Sequence, residues 1–187
     1  NTIPDTLYKK VNKSKQCSGI TVEQMRVPLG VIAMIYESRP NVTIDAAGLS
    51  LKSGNSIILR GGSEAINSNL ILSSLIKKAL LESKVSADMV QIVKTIDRVA
   101  VSELLKMDSF IDVIIPRGGK GLIKKVSEES KIPVIKHLDG NCHVYIDKHA
   151  DFKTAMSCTI NSKTQRYGVC NAAESLLIHK SFPKSYI

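Results

Sequence analysis

From Pro28 onward, the apolar positions switch repeatedly between two periods. Val31–Tyr36 is a continuous apolar run, the pattern of a strand buried on both faces. The next segment, Asn41–Lys52, sets Val42, Ala46, Leu49 and Leu51 on one helical stripe that Gly54 ends. A second strand is predicted over 56–59. Ser63 then reads as the N-cap of a long helix whose apolar positions Ile66, Leu70, Ile71, Leu75, Ala79 and Leu80 keep helical spacing. A third strand is predicted at 89–93, a short helix at 99–107 with Val101, Leu104 and Leu105 inward, and a fourth strand at 111–115. A helix carrying Leu122, Ile123 and Val126 and a fifth strand at 132–135 complete the series.

Strands and helices alternating at these lengths imply right-handed crossovers and a doubly wound parallel sheet, an α/β fold. The pattern changes around Leu138-Asp139-Gly140-Asn141. A strand at 142–147 and an amphipathic helix at 151–163, with Phe152, Ala155, Met156, Thr159 and Ile160, read as the opening of a second α/β domain. The organisation expected is therefore an N-terminal segment (1–27), a dinucleotide-binding domain (28–138) and the start of a second domain (139–187). Within the first segment, residues 21–27 alternate and read as an edge strand or an oligomer arm.

Size and composition narrow the functional classes. The 187 residues can bury a sizeable core, and no run of eighteen apolar residues exists to span a membrane. Residues 1–15 are polar and basic, unlike a secretory signal. The chain lacks an initiator methionine and stops abruptly at Ile187, so a fragment of a longer protein is expected. The net charge of +9 comes mostly from scattered lysines. Nucleic-acid surfaces usually cluster such charge with aromatics, which are few here, so a nucleic-acid partner is not expected. Cys17, Cys142, Cys158 and Cys170 form no CxxC pair and no zinc pattern, which fits a reducing cytoplasm.

In a doubly wound sheet, ligands bind beyond the carboxyl ends of the strands. Three loops occupy that edge: Glu37-Ser38-Arg39-Pro40-Asn41, Arg60-Gly61-Gly62-Ser63, and Pro116-Arg117-Gly118-Gly119-Lys120-Gly121. Their glycines let backbone N–H groups approach a phosphate, and the arginines add charge-assisted hydrogen bonds. Each Gly-Gly pair alone is weak evidence, but two Arg-Gly-Gly loops at equivalent places strengthen it. Downstream, Cys170 sits in the turn-forming run Tyr167-Gly168-Val169-Cys170-Asn171-Ala172, just before a strand-like stretch at 176–179. Cys158 falls on an apolar helix stripe and Cys142 begins a strand, so both are expected to be buried. A turn cysteine without further context is either a nucleophile or a simple surface residue.

The stretch Val27-Pro28-Leu29-Gly30-Val31-Ile32, the run Ile35-Tyr36-Glu37-Ser38-Arg39-Pro40-Asn41-Val42-Thr43 and the turn Leu51-Lys52-Ser53-Gly54-Asn55 carry a specific resemblance. So do Ile58-Leu59-Arg60-Gly61-Gly62, Ile114-Ile115-Pro116-Arg117-Gly118-Gly119 and Gly168-Val169-Cys170-Asn171-Ala172. In this order they resemble the gamma-glutamyl phosphate reductase family, within the aldehyde dehydrogenase superfamily. The resemblance implies NADPH-dependent reduction of L-glutamate 5-phosphate to L-glutamate 5-semialdehyde in proline biosynthesis. It also implies a functional link to glutamate 5-kinase and a homo-oligomer for the full-length protein.

By the same resemblance Cys170 is the nucleophile, displacing phosphate to form a thioester that accepts hydride. Asn41 matches the oxyanion-hole asparagine, acting with the backbone N–H of Cys170. Arg60, Gly61, Gly62, Ser63, Arg117, Gly118 and Gly119 hold the cofactor, with Arg60 reaching the 2′-phosphate of NADPH. No metal is implied. Hydrolytic aldehyde dehydrogenases carry a general-base glutamate where this chain has His137-Leu138-Asp139-Gly140. Water activation is not needed when phosphate leaves, so this departure favours an acyl-phosphate reductase over an aldehyde oxidiser. His137 is a weaker base candidate, and Arg166 is either a substrate contact or a surface residue. The alternatives are another thioester-forming semialdehyde dehydrogenase, or an inactive fragment that binds nucleotide or nucleic acid.

Overall fold

The computed structural model describes residues 4–137 and 140–183. The chain divides into two compact units, Asn1–Lys136 and His137–Ile187.

The first unit begins with a hairpin of β1 (Lys10–Lys15) and β2 (Thr21–Met25), antiparallel and exposed along both strands. Gly19, at φ +85°, makes the turn, and Glu23 on β2 pairs with Lys10 and Lys13 on β1. The strand expected at 21–27 thus exists but is no edge of the main sheet. Its partner is the lysine-rich segment before it, whose polarity hid a strand.

Beyond the hairpin the chain winds the expected α/β sheet. Its elements are β3 (Val31–Tyr36), α1 (Asn41–Lys52), β4 (Ser56–Arg60), α2 (Ile66–Glu82), β5 (Val90–Ile92), α3 (Val99–Leu104), β6 (Val113–Arg117) and α4 (Lys120–Glu129). The four strands are parallel, in the order β5-β4-β3-β6. The chain therefore winds one way from β3 to β4 and β5, then returns to β6 on the other side. Such a reversal opens a crevice at the carboxyl edge.

The continuous apolar run of β3 is buried on both faces. Ile32 and Tyr36 join Val42, Ile57, Leu59 and Leu80 on the side of α1 and α2. Ala33 and Ile35 join Leu104, Leu105, Ile114 and Val126 on the side of α3 and α4. Each such large aliphatic side chain contributes about 1.5–3 kcal/mol on burial. Two side chains hold the start of β3. Asn55 Oδ1 accepts the Gly30 N–H at 2.9 Å, and Asp112 Oδ2 accepts the Val31 N–H at 2.7 Å. Gly30 adopts φ +118°, and a Cβ there would lie 2.0 Å from Asp112 Oδ2. Beneath α1, the Tyr36 hydroxyl and Thr43 Oγ1 lie 2.6 Å apart, and Thr43 Oγ1 donates to Asn69 Oδ1 at 3.0 Å, all buried.

Two expectations are corrected here. Residues 132–135 supply only one bridge, Val134 to Ile114, with the Ile114 N–H reaching Pro133 O and the Ile135 N–H reaching Ile114 O at 2.9 Å each. Pro133 has no N–H to extend the ladder. Ser63 does not cap α2 either. It opens a 3-10 turn, Ser63–Ala65, and its hydroxyl lies 3.4 Å from Glu64 Oε2.

The second unit holds β7 (Cys142–Ile146), α5 (Phe152–Thr164) and β8 (Ala173–Ile178), with β7 and β8 parallel. Asp151 caps α5 by accepting the Thr154 N–H at 2.9 Å. The helix turns Phe152, Ala155, Thr159 and Ser162 inward. Cys158 lies beside that stripe and is exposed, contrary to expectation, because two strands cover only a narrow face of the helix. Cys142 is half-buried rather than buried. Among the described residues, no helix is long and apolar enough to cross a membrane.

Candidate active site

At the carboxyl edge of the main sheet, the ends of β3 and β4 meet the loop before α3 and the first turns of α4. They enclose a cavity of about 350 Å³. Arg60, Gly62 and Ser63 line it, together with Glu37, Glu64, Ile96, Arg98, Leu122 and Lys125. The volume is in the range of small-molecule and cofactor pockets.

Arg60 is buried, at 8% exposure. Nη1 donates to Gly61 O at 2.9 Å, while Nη2 donates to Ile96 O at 2.9 Å and to Asp97 O at 3.3 Å. Its reach toward a ligand phosphate therefore competes with three carbonyls already held. Nε alone is buried without a partner. Gly61 faces inward: a Cβ there would meet Asn69 Nδ2 at 2.2 Å. Its bare α-carbon serves packing onto the buried Asn69 as much as any ligand approach.

Two carboxylates shape the rim. Glu37 Oε2 accepts the Gly119 N–H at 2.9 Å, so a side-chain anion sits at the N-terminus of α4. A Cβ on Gly118 would lie 2.6 Å from that same oxygen. Glu64 accepts the N–H of Ser38 at 2.8 Å and also its hydroxyl. The Ser38 hydroxyl bond is the leading cause that holds the Glu64 carboxyl below its ordinary range. Ser38 itself has φ +45°, a left-handed conformation uncommon for serine. The Glu64 bonds hold that strained turn where β3 ends.

Asn41 and Arg117 line a different cavity, against Met34, Asp45, Leu49 and Ile115 on the α1 side of the sheet. Asn41 is the first residue of α1, and its Nδ2 donates to Asp45 Oδ2 at 3.1 Å. The second amide hydrogen is not engaged by that bond.

In the second unit, Cys170 is exposed in a turn closed by the Ala172 N–H on Val169 O at 3.1 Å. The Cys142 thiol donates to Cys170 O at 3.5 Å. Gly140 lies under the same carbonyl, and a Cβ there would come within 2.8 Å of it. The backbone of the turn is thus held from below while its thiol points outward. Cys17 is exposed in the first unit. His137 is exposed, Leu138 and Asp139 lie outside the described residues, and Arg166 is exposed. Among the described residues no cluster of His, Cys, Asp and Glu could hold a metal.

Sequence reasoning missed Arg98, Lys125 and the anchoring roles of Glu37 and Glu64. The loop before α3 follows a strand and lies at the same edge as the other three loops. The rule that selected those loops would have selected it too.

The chain is similar to known proteins along nearly all its length. The family model "Aldehyde dehydrogenase family" matches residues 2–187. The chain is 57% identical to the gamma-glutamyl phosphate reductase of Desulfotalea psychrophila, over 95% of its own length and 43% of the relative's. It superposes on the crystal structure of the gamma-glutamyl phosphate reductase of Thermotoga maritima with a TM-score of 0.81 at 43% identity, covering 96% of this chain and 43% of that one. For the Saccharomyces cerevisiae reductase the TM-score is 0.65 at 36% identity, covering 98% and 46%. The chain thus spans less than half the length of these relatives. With a doubly wound sheet, a cavity at its carboxyl edge and a family match along nearly all its length, the chain belongs to the aldehyde dehydrogenase family.

Proposed function

We propose that the protein carrying this chain is an NADP-dependent acyl-phosphate reductase that converts L-glutamate 5-phosphate to L-glutamate 5-semialdehyde. The observation that carries this reading is the 57% identity to a curated gamma-glutamyl phosphate reductase over 95% of this chain. The cytoplasm is the proposed compartment. The substrate is a labile acyl phosphate, so a kinase acting on the side-chain carboxylate must supply it.

Features of the carboxyl-edge cavity support a nucleotide there. The cavity has an orphaned buried Arg60 Nε, with Gly62 and Ser63 on its lining. Arg60, Gly62 and Ser63 would form one wall for the nucleotide, whereas Arg117 lines the other cavity, so a cofactor role for Arg117, Gly118 and Gly119 rests on the family resemblance. When bound, NADPH supplies the hydride that reduces the thioester.

Cys170 carries the covalent chemistry. Its thiolate adds to the acyl carbonyl carbon, the bond from that carbon to the phosphate oxygen breaks, and inorganic phosphate leaves. The resulting thioester is a better hydride acceptor than a carboxylate. After reduction, the carbon–sulfur bond breaks and the thiolate returns. The backbone N–H of Cys170 would stabilise the developing oxyanion. The turn held by Gly140 and Cys142 supports this role, because an oxyanion donor acts well only when its position is preset.

The test is NADPH oxidation by the full-length protein with L-glutamate 5-phosphate, compared with the Cys170→Ser variant. Retention of full activity by that variant would exclude the thioester route.

A further inference from the structure

We infer that Arg98, seconded by Lys125, is the residue that reads the 2′-phosphate of the nucleotide cofactor, and that Arg60 is a positioning residue holding Arg98 in place. This rests on the proposed function and names the specificity device inside it.

A phosphomonoester carries close to two negative charges at neutral pH, so its site needs cations with donors to give. Three cationic side chains line the carboxyl-edge cavity: Arg60, Arg98 and Lys125. Arg60 is buried and already gives three hydrogen bonds to backbone carbonyls. Among the described residues Lys125 has only a 4.0 Å pair with Glu129, with its side chain 40% exposed. Arg98 is exposed, and among the described residues its side chain makes no hydrogen bond or ion pair. Its planar fork is free for a bidentate grip on phosphate.

Arg60 matters through the loop it holds. Its bonds end on Ile96 O and Asp97 O, the two residues directly before Arg98. Asp97 Oδ1 then accepts the Val99 N–H at 2.9 Å, fixing the other side of Arg98. The arginine therefore projects from a loop tied at both flanks, which lowers the ordering cost of gripping a ligand. The rim carboxylates are engaged by protein donors. Glu37 is turned to the Gly119 N–H, and Glu64 to Ser38 and Ser63. Ser63 contributes a hydroxyl to the same cavity.

The test is binding of 2′-AMP and 5′-AMP to the full-length protein by calorimetry, beside the ratio of kcat/KM for NADPH to that for NADH. Arg98→Ala is expected to weaken 2′-AMP about 10- to 100-fold and 5′-AMP less than twofold, as losing one charge-assisted phosphate contact should. Lys125→Met should cost 2′-AMP roughly three- to tenfold, since its point charge is the weaker partner. Arg60→Lys keeps the charge but loses the fork, and should lower the 2′-AMP to 5′-AMP preference while 5′-AMP binding persists. An unchanged 2′-AMP preference in Arg98→Ala overturns the inference and leaves the reductase reading intact. A wild-type protein that reduces the acyl phosphate with no preference for the 2′-phosphate overturns the inference and the NADPH assignment together.

Discussion

The thiol of Cys142 donates to the backbone carbonyl of Cys170, 28 residues further along the chain, at 3.5 Å. The neighbouring Gly140 lies so close to the same carbonyl that any Cβ would press on it. Gly140 and the first residue of β7 thus set the pose of the turn that carries the proposed nucleophile. Gly140→Ala is expected to displace that turn and lower acyl-phosphate reduction by at least tenfold. Thermal unfolding should shift by only a few degrees, because the turn itself is exposed. Comparing activity with a melting curve checks this: a proportionate loss of both would show a fold defect instead.

Cys170→Ala should cost roughly three or more orders of magnitude in kcat, the usual scale for removing a covalent nucleophile. The side chain is exposed, so stability should move by no more than about 0.5 kcal/mol. Cys158 is also exposed but lies on α5 outside the turn, and Cys158→Ala should leave turnover unchanged. Steady-state rates of the two variants, side by side, decide the matter.

Gly30 meets two separate demands, a left-handed φ of +118° and contact with the Asp112 carboxylate. Gly30→Ala would strain the backbone and push away the acceptor of the Val31 N–H. A loss of roughly 2–4 kcal/mol is expected from the combined strain and broken bond. Urea unfolding with an unchanged m-value would measure it. A loss under 1 kcal/mol would show that the start of β3 adjusts freely.

Thr43 is fully buried between the Tyr36 hydroxyl and Asn69. Thr43→Val keeps the shape but leaves both partners unsatisfied, at a cost of about 2–3 kcal/mol. Burial also pushes the Tyr36 phenol above its ordinary value of 10.0, with the Thr43 bond opposing. The folded state therefore holds this proton more tightly than the unfolded chain. The associated stability is complete below pH 10 and is lost as pH rises from there through the higher folded value. Denaturant midpoints measured between pH 8 and pH 11 should fall at the alkaline end, and a Tyr36→Phe variant should flatten that part of the fall.

Periodicity revealed the α/β sheet because β3, buried on both faces, must be apolar throughout, and because α1 and α2 each keep a stripe. It concealed β1, whose side chains all face solvent and so carry no apolar signal. It overstated 132–135, where an apolar run met a proline with no donor. The glycine pairs drew attention to the edge where the cavity opens, yet their packing was not legible. Gly61 is set by the packing of Asn69 and Gly118 by the carboxylate of Glu37, both tertiary contacts distant in sequence. Arg60 stood out as a charge at a strand end, but only the fold shows it turned inward to the loop at 96–97. Cys170 was legible because its turn is local, whereas the support from Gly140 and Cys142 spans about thirty residues.

The placement of β3 at the centre of the sheet also bears on how the protein is made. Its partner on one side, β4, follows within 25 residues, Val31 pairing with Ser56. Its partner on the other side, β6, comes 81 residues later, Ile32 pairing with Val113. At a synthesis rate of about 5–20 residues per second, the most apolar strand of the chain waits roughly 4–16 s with one edge bare. During that interval the nascent chain exposes a hydrophobic strand edge to every neighbour in the cell, so its early life depends on speed and on chaperones more than its finished fold does.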